Sequence, residues 1–239
     1  MKFFLKKIRR FLSRGVLSWV RVGSSLLILI NRLYGKLYTK LWQYADLASY
    51  EHRFDHLRGV DNFYWVERGI KGLRYLPEKA KVLDLGCGDG IYSGIFYSTR
   101  AKHIDAIDYD HKIISLAKKY YKKPNINFIC SNILTDVFPD TNYNVAFLFA
   151  VIEHFSVKEG QALLKKISLS LATGGCLLGS TPLFSEIGGH NIEHQNEFSS
   201  EEGLRIFLFP FFESIEIWVS PWPGRRECYF LCQKPKHNL

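Results

Sequence analysis

The 239-residue sequence has only five cysteines. Their number is odd and no CxxC element occurs, which argues against a disulfide framework and against a cysteine-based zinc site. Several fall in predicted buried strands or beside a glycine-rich loop. The sequence therefore predicts reduced thiols in a reducing, cytoplasmic compartment, for the five residues Cys87, Cys130, Cys176, Cys228 and Cys232.

Acidic residues are absent from the first 45 positions, which hold ten lysines and arginines. The chain has 32 basic and 23 acidic residues, so the remainder carries 22 basic residues against all 23 acids. A surface that follows nucleic-acid phosphates needs an excess of positive charge. The sequence therefore predicts no nucleic-acid partner, despite a formal net charge of +9.

The basic N-terminal segment also carries apolar residues at roughly helical spacing, from Phe4 to Leu41. Its most apolar part, 15–30, is short for a bilayer-spanning helix and is interrupted by Arg21. The LLILI run lacks the small-residue cleavage site of a signal peptide. These features favour an amphipathic helix on an anionic membrane surface. Packing on a protein surface and a spanning helix are the alternatives.

Two domains are predicted, a basic amphipathic arm over 1–45 and an α/β domain over 46–239. Strands and helices alternate in the second domain, which is typical of a parallel sheet with crossover helices. The location predicted from both parts is cytoplasmic, peripheral on the inner face of a membrane. The predicted strands are Lys81–Leu85, His103–Ile107, Asn127–Cys130, Val145–Phe149, Cys176–Ser180, Phe212–Val219 and Glu227–Gln233. The predicted helices are Asp61–Tyr75, His111–Tyr121, Val157–Leu171 and one that opens at Ser199–Glu202.

The segment VLDLGCGDG, from Val82 to Gly90, joins the first predicted strand to a helix. Glycines in such a loop let the chain turn sharply and let a ligand approach the backbone. The helix that follows directs its positive end at that ligand. Asp108 lies 22 residues beyond Gly86, at the end of the second strand, where an acid can accept hydrogen bonds from two ribose hydroxyls. The pattern predicts a nucleoside-binding crevice.

The spacing of the loop separates two classes of cofactor. A nicotinamide site expects GxGxxG, with a pyrophosphate on the helix N-terminus. Here the spacing is GxGxG, and Asp84 and Asp89 would repel a pyrophosphate. Both acids suit the ammonium and ribose of an amino-acid-bearing nucleoside, so an oxidoreductase is the weaker interpretation.

With these motifs in this order, the sequence resembles the class I S-adenosylmethionine-dependent methyltransferases, over about residues 60–239. It is most similar to the subgroup that acts on small molecules, sugars and quinols. The resemblance implies an α/β fold with a Rossmann-like seven-stranded sheet, mostly parallel, with an antiparallel C-terminal edge hairpin. It implies S-adenosylmethionine as the cofactor.

The resemblance also implies which residues bind the cofactor. The first motif would hold the methionine end, AIDYD would supply the ribose acid and an adenine contact, and the third strand leads to the adenine amino group. Asn132 stands where the family usually has an acid, and Asn144 replaces another family Asp. The implied cofactor residues are Asp84, Gly86, Cys87, Gly88, Asp108, Tyr109, Asn132 and Ile133.

Two histidines are the candidate catalytic bases. His154, in AVIEHF, follows the fourth predicted strand at the edge where the cofactor crevice is expected. His194 and Glu197 resemble an HxxEF(S/T) element that closes the acceptor site in relatives. Removing a proton from a hydroxyl acceptor requires such a positioned base. For each residue the alternative is a structural role, such as capping a helix or shaping the pocket.

No metal site is predicted from the sequence. His190 and His194 flank Glu193 at helical spacing, but the segment is not HExxH and contains glycines that disfavour a helix. Metal binding is therefore not expected there.

The predicted function is O-methylation of a small-molecule, sugar or lipid-linked acceptor. N-methylation of an amino sugar or small amine, and a non-catalytic scaffold with this fold, are the alternatives. A methylase acting on RNA-base amino groups would carry (N/D)PP(F/Y) after the fourth strand, where this sequence has AVIEHF.

Overall fold

The structure is a computed structural model that describes residues 15–30, 32–34, 64–184, 194–221 and 226–237. The chain divides into two compact units, the first formed by Met1–Ser49 and Phe54–Asn62, the second by Tyr50–Arg53 and Phe63–Leu239. Residues 35–63 lie outside the described residues, so the predicted boundary at residue 45 stays a prediction.

The described part of the first unit is one helix, α1 (Gly15–Tyr34). Its side chains are exposed along the whole described length, including Trp19 at 79%. Ser18, Arg21, Ser25 and Arg32 follow the 3.6-residue period and form one narrow polar stripe, while apolar residues occupy most of the remaining circumference. By length and composition α1 is apolar enough to cross a membrane, a test that an N-terminal signal sequence also passes.

The second unit is built on a seven-stranded sheet with the order β3-β2-β1-β4-β5-β7-β6. Strands β1 to β5 are parallel, and β7 pairs antiparallel with both β5 and β6. The strands are β1 (Lys81–Leu85), β2 (His103–Asp108), β3 (Ile126–Cys130), β4 (Tyr143–Phe149), β5 (Leu171–Pro182), β6 (Phe212–Val219) and β7 (Glu227–Pro235).

This topology confirms the predicted fold class, including the antiparallel pair at the C-terminal edge. All seven strands were expected from apolar runs, and β1 and β6 have the predicted bounds. β5 is longer than predicted because its pairing with β4 resumes at Leu171, across a register shift between Tyr143 and Val145. The edge order places β7, not β6, beside β5.

Four helices accompany the sheet: α2 (Tyr64–Tyr75), α3 (His111–Tyr121), α4 (Val157–Ser170) and α5 (Glu201–Leu208). Side chains at their starts explain their positions. Asp110 accepts hydrogen bonds from the first turn of α3, and Ser200 accepts from Gly203 in α5. Ser156 and Glu159 form a reciprocal capping box at the start of α4.

Two apolar cores cover the two faces of the sheet. One packs α4 and α5 on the sheet through residues such as Leu164, Ile167 and Phe207. The other lies under α2 and α3 and includes Leu76, Ala117 and Phe147. With both faces covered, the ligand-accessible edge is the one formed by the carboxyl ends of the parallel strands.

The helical segment after the glycine loop is not a regular α-helix. It is a turn of π-helix, Tyr92–Phe96, followed by a 3-10 turn, Tyr97–Thr99. The wider i→i+5 turn brings residues five apart toward one face. Tyr92 and Tyr97 are five residues apart, and both rings face β4. The centroid of Tyr92 lies 6.3 Å from that of Phe149, and the centroid of Tyr97 lies 4.1 Å from that of Phe147.

Candidate active site

The glycine loop begins directly after β1 and turns at residues with positive φ. Gly86, Gly88 and Gly90 have φ values of 67°, 55° and 78°, which side chains disfavour. A Cβ on Gly86 would lie 2.4 Å from Val151 Cγ2, and one on Gly90 would lie 2.6 Å from the Phe128 ring. The loop is therefore glycine for two reasons, its backbone conformation and the close approach of its neighbours.

Asp108 ends β2 and is bonded to the glycine loop. Its Oδ2 accepts a hydrogen bond from Gly88 N at 3.0 Å, and its Oδ1 accepts from Asp110 N at 3.0 Å. Burial raises the pKa of Asp108, and these backbone donors oppose the rise. A carboxylate has about four acceptor sites, so each oxygen retains capacity for a ribose hydroxyl. The predicted position of Asp108 at the carboxyl edge is what the structure shows.

Asp84 lies on β1 and is almost fully buried. Its Oδ2 accepts a hydrogen bond from Ser93 Oγ at 2.6 Å. Burial raises the pKa of the Asp84 carboxyl to about 7; the bond from Ser93 opposes this, and the charge of Asp108 adds to it. A buried acid of this kind is stabilised in its charged form by a cationic ligand. The ammonium of an amino-acid-bearing nucleoside would supply that charge.

The predicted adenine contacts lie at the ends of β2 and β3. Tyr109 is 71% exposed directly after Asp108, so its ring is accessible to a planar base. Asn132 is exposed, and its Oδ1 accepts a hydrogen bond from Leu134 N at 2.9 Å. That oxygen has a second lone pair for an amino group. Asp136 accepts from Asn132 N and Ser131 Oγ and so stabilises the loop that carries Asn132.

Cys87 and Ile133, the two remaining predicted cofactor residues, are buried in the two apolar cores. Burial raises the pKa of the Cys87 thiol well above its usual value, and the charges of Asp84, Asp108 and Asp89 raise it further. The thiol is therefore neutral at physiological pH. Contact of either side chain with a cofactor stays a prediction.

The structure brings the two predicted catalytic histidines together. His154 ends a 3-10 turn, Ile152–His154, just after β4, and its ring centroid is 5.2 Å from that of His194. His194 Nδ1 lies 3.2 Å from Glu197 Oε1. The pair is anchored to the cofactor side because Val151, three residues before His154, packs on Gly86. His190 and Glu193 lie outside the described residues.

Two features of this edge were not predicted. Glu153, only 1% exposed, lies beside both histidines, with ligand atoms of the three residues within 4.8 Å of one another. Arg68 of α2 donates to Glu227 Oε1 at 3.1 Å in a buried ion pair, and Ser180 Oγ donates to the same oxygen. Sequence spacing gave no signal for either, because their members lie 40 to 159 residues apart.

Together these residues fit the cofactor predicted from the sequence. Asp84 offers a buried negative charge, Asp108 offers acceptors for a ribose, and Tyr109 offers an exposed ring. The glycine loop turns through three residues with positive φ directly after β1, where its backbone is bonded to Asp108. Among the described residues, no basic side chain lies in the loop itself, as a pyrophosphate site would favour.

Comparison with known proteins places this geometry in a family. Residues 82–175, from β1 into β5, match the family described as "Methyltransferase domain". This chain carries a class I S-adenosylmethionine-dependent methyltransferase domain. The resemblance inferred from VLDLGCGDG and Asp108 is therefore confirmed, and so is S-adenosylmethionine as the cofactor.

The sequence relatives of this methyltransferase domain match it only in part. The phosphoethanolamine N-methyltransferase of Plasmodium falciparum is 32% identical over 106 residues, which are 43% of this chain and 39% of that protein. The mouse eEF1A lysine and N-terminal methyltransferase is 25% identical over 137 residues, 55% of this chain and 20% of that protein. The chain thus spans well under half the length of these curated relatives.

Solved structures share the fold of this methyltransferase domain. The N-methyltransferase NodS of Bradyrhizobium japonicum has a TM-score of 0.61 and 16% identity, covering 74% of this chain and 99% of NodS. NodS was also solved with S-adenosylhomocysteine, where the TM-score is 0.60. A putative O-methyltransferase of Nostoc punctiforme has a TM-score of 0.59 and 14% identity, covering 87% and 70% of the two chains.

Proposed function

We propose that this chain transfers a methyl group from S-adenosylmethionine to an oxygen atom of a small-molecule, sugar or lipid-linked acceptor. The observation that carries the choice of oxygen is the His154–His194 pair with Glu197 on His194 Nδ1. When bound, the cofactor supplies a methyl group already activated on a sulfonium, so alignment of the reactants contributes much of the rate. A hydroxyl acceptor additionally has to lose its proton.

The histidine pair is suited to take that proton. Glu197, hydrogen-bonded to His194, fixes the orientation of its ring and favours the imidazolium formed after proton transfer. The side chains of His194 and Glu197 are 9% and 14% exposed, so bulk water does not fully screen the pair. General-base catalysis contributes about 10²- to 10⁴-fold to rate.

The test of the proposed function is methyl transfer from labelled cofactor to paired acceptors that differ only in a hydroxyl or an amino group. We expect label on the hydroxyl member. His194→Ala is expected to lower turnover by about 100-fold while the Kd of S-adenosylmethionine changes less than about twofold. His103→Ala is the matched control, because His103 also pairs with an acid, Asp105, but away from the carboxyl edge.

N-methylation is the second candidate, and the names of two relatives favour it. The Plasmodium protein is a phosphoethanolamine N-methyltransferase and NodS is an N-methyltransferase. A neutral amine is itself a nucleophile and needs no strong base. If the label appears on the amino member of each pair and His194→Ala loses little turnover, the reaction is N-methylation and the proposal of O-methylation is wrong. Cofactor binding without transfer to any acceptor would favour the non-catalytic scaffold.

Attachment to the inner face of a membrane through α1 is the second part of the proposal. Apolar side chains cover most of the α1 surface and are exposed, while Arg21 and Arg32 lie in one polar stripe. Residues 1–45 contain ten basic residues and no acidic residue. Each Lys or Arg near an anionic membrane surface contributes about 1 kcal/mol to the binding free energy. An enzyme held there would meet lipid-linked acceptors.

Vesicle sedimentation of the full chain tests this attachment. We expect binding to phosphatidylserine vesicles, weaker binding to neutral ones, and release at high salt. Leu27→Glu should reduce binding several-fold. Val137→Glu, at an 89% exposed apolar residue of the second unit, should leave it unchanged. If the protein binds both vesicle types equally and is not released by high salt or alkaline extraction, α1 spans the bilayer and does not lie on its surface.

A further inference from the structure

The carboxyl edge of β4 carries a cluster that the methyl-transfer proposal only partly uses. Glu153, His154 and His194 each offer one ligand atom, and these atoms lie within 4.8 Å of one another. Metal–ligand bonds are about 2.0–2.2 Å long for imidazole and carboxylate, so two ligands of one ion lie at most about 4.4 Å apart. A shift of the side chains by a few tenths of an ångström therefore brings all three atoms within reach of a single ion. Two imidazoles and a carboxylate are a common donor set for transition metals.

The backbone holds this cluster in place. The carbonyl of Glu153 accepts hydrogen bonds from Gln195 N at 2.9 Å and from Asn196 N at 3.1 Å. These two bonds join the segment after β4 to the segment that carries His194. Phe198 then anchors that segment in the core, with its ring centroid 5.2 Å from that of Phe207. The three ligand residues are therefore positioned by the fold before any ion binds.

Glu197 supplies the outer carboxylate that metal-binding histidines usually have. A ligating imidazole generally donates its other ring N–H to a carboxylate or carbonyl, which fixes the tautomer and orients the ring. Glu197 Oε1 lies 3.2 Å from His194 Nδ1. With Nδ1 occupied in this way, Nε2 of His194 is the nitrogen that would bind an ion.

Burial strengthens the case for a cation at this position. Glu153 is 1% exposed, and a carboxylate away from water attracts a cation more strongly than an exposed carboxylate does. His103 and Asp105 form a contrasting pair at 3.1 Å, in which the histidine side chain is 43% exposed and no second histidine lies nearby among the described residues. Within the part of the chain that the structure describes, the cluster after β4 is the one that joins a buried carboxylate to two half-buried histidines.

We propose that Glu153, His154 and His194 bind a divalent transition-metal ion, with Zn²⁺ the best match to the donor set. Three protein ligands leave one position of a tetrahedral ion open. An acceptor hydroxyl bound there would lose its proton more readily, because a coordinated Zn²⁺ lowers the pKa of a bound oxygen acid. The inference deepens the proposed function and rests on it: with both imidazoles bound to the ion, the proton of the acceptor hydroxyl would pass to water. The acceptor oxygen would then form its bond to the methyl carbon as the bond from that carbon to sulfur breaks, which leaves S-adenosylhomocysteine.

Metal binding is tested directly on the full chain without cofactor or acceptor. Zn²⁺ titration by calorimetry, and Co²⁺ substitution followed by visible absorption, should both show one ion per chain. His194→Ala and His154→Ala are each expected to weaken binding at least 100-fold. Glu197→Gln should weaken it about 10- to 100-fold, as loss of an outer-shell carboxylate does elsewhere. His103→Ala should have no effect. The Tm of each variant reports whether it folds.

The outcomes separate this inference from the proposed function. Saturable binding of one ion that His154→Ala and His194→Ala abolish, in variants that stay folded, would support the site. No binding, or equal binding by wild type and the folded double variant, would overturn it and leave the histidine base intact. Variants that do not fold are replaced by His154→Gln and His194→Gln, with the same criteria. Bound Zn²⁺ without methyl transfer to any acceptor would overturn the proposed function alone.

Discussion

The cofactor side and the histidine side of this site differ in how far apart in the chain their residues lie. On the cofactor side, Asp84 to Gly90 are contiguous and Asp108 follows one strand later. On the histidine side, His154 and His194 are 40 residues apart and meet through backbone hydrogen bonds to Glu153. Substitutions on the first side should therefore change cofactor affinity, and those on the second should change turnover.

The largest effect is expected for Gly86→Ala. The residue has φ of 67°, and its new Cβ would lie 2.4 Å from Val151 Cγ2. Left-handed backbone costs about 1–3 kcal/mol for a non-glycine residue, and overpacking costs about as much again. We expect a large fall in Tm and roughly 100-fold weaker cofactor binding. Because Val151 also supports the histidine segment, turnover should fall as well.

Gly174→Ala is the matched control for that substitution. Gly174 has φ of 82°, but nothing lies within 4 Å of an added Cβ. Only the backbone cost of about 1–3 kcal/mol should remain, with unchanged cofactor affinity. If both variants bind cofactor like wild type, the close packing of Gly86 does not matter for binding.

A smaller effect is expected for Asp108→Ala, which removes the proposed ribose acceptor and the bond to Gly88 N. The Kd of S-adenosylmethionine should rise at least tenfold by calorimetry. Asp105→Asn is the control, since Asp105 is equally buried on β2 but bonds to Tyr143 and Asn127. Equal affinity in wild type and Asp108→Ala would show that the cofactor side is assigned to the wrong acid.

The smallest effect is the pH dependence of cofactor binding. The pKa of Asp84 is about 7, so below pH 7 the folded, ligand-free protein holds this carboxyl protonated. The proton removes the negative charge that attracts the ammonium, and affinity should therefore rise with pH. Between pH 6 and 7 we expect roughly fivefold tighter binding, from the fraction of Asp84 ionised. Asp84→Asn should bind weakly with a flat profile; a wild-type profile that is also flat would remove Asp84 from the ammonium site.

Most of the fold followed from the sequence because apolar runs of strand length alternate with helical patterns. The bounds of α3 and the caps at Asp110, Ser156 and Ser200 come from local side-chain to backbone bonds. The π-helical turn Tyr92–Phe96 was not predicted from the sequence. The Tyr92 ring packs against Phe149 of β4, a long-range contact that local propensity does not report.

The candidate site divides in the same way. The cofactor residues were predictable because each of the family's motifs is a short contiguous segment that covers one strand and the loop after it. The ion pair between Arg68 and Glu227 joins residues 159 apart and has no local signature. The sequence predicted no metal site because His190 and His194 do not form an HExxH motif. That motif detects only ligands that are neighbours on one helix, and ligands from distant parts of the chain do not match it.

The sequence by itself determined the parallel sheet, the glycine loop, Asp108 and S-adenosylmethionine as the cofactor, because these depend on contiguous residues and on strand order. Tertiary structure decided which residues form the histidine side of the site. It placed Glu153 beside His154 and His194 and set Glu197 against the His194 ring. The physical reason is that long-range packing and backbone bonds, here from Gln195 and Asn196 to Glu153, fix distances that no sequence spacing encodes.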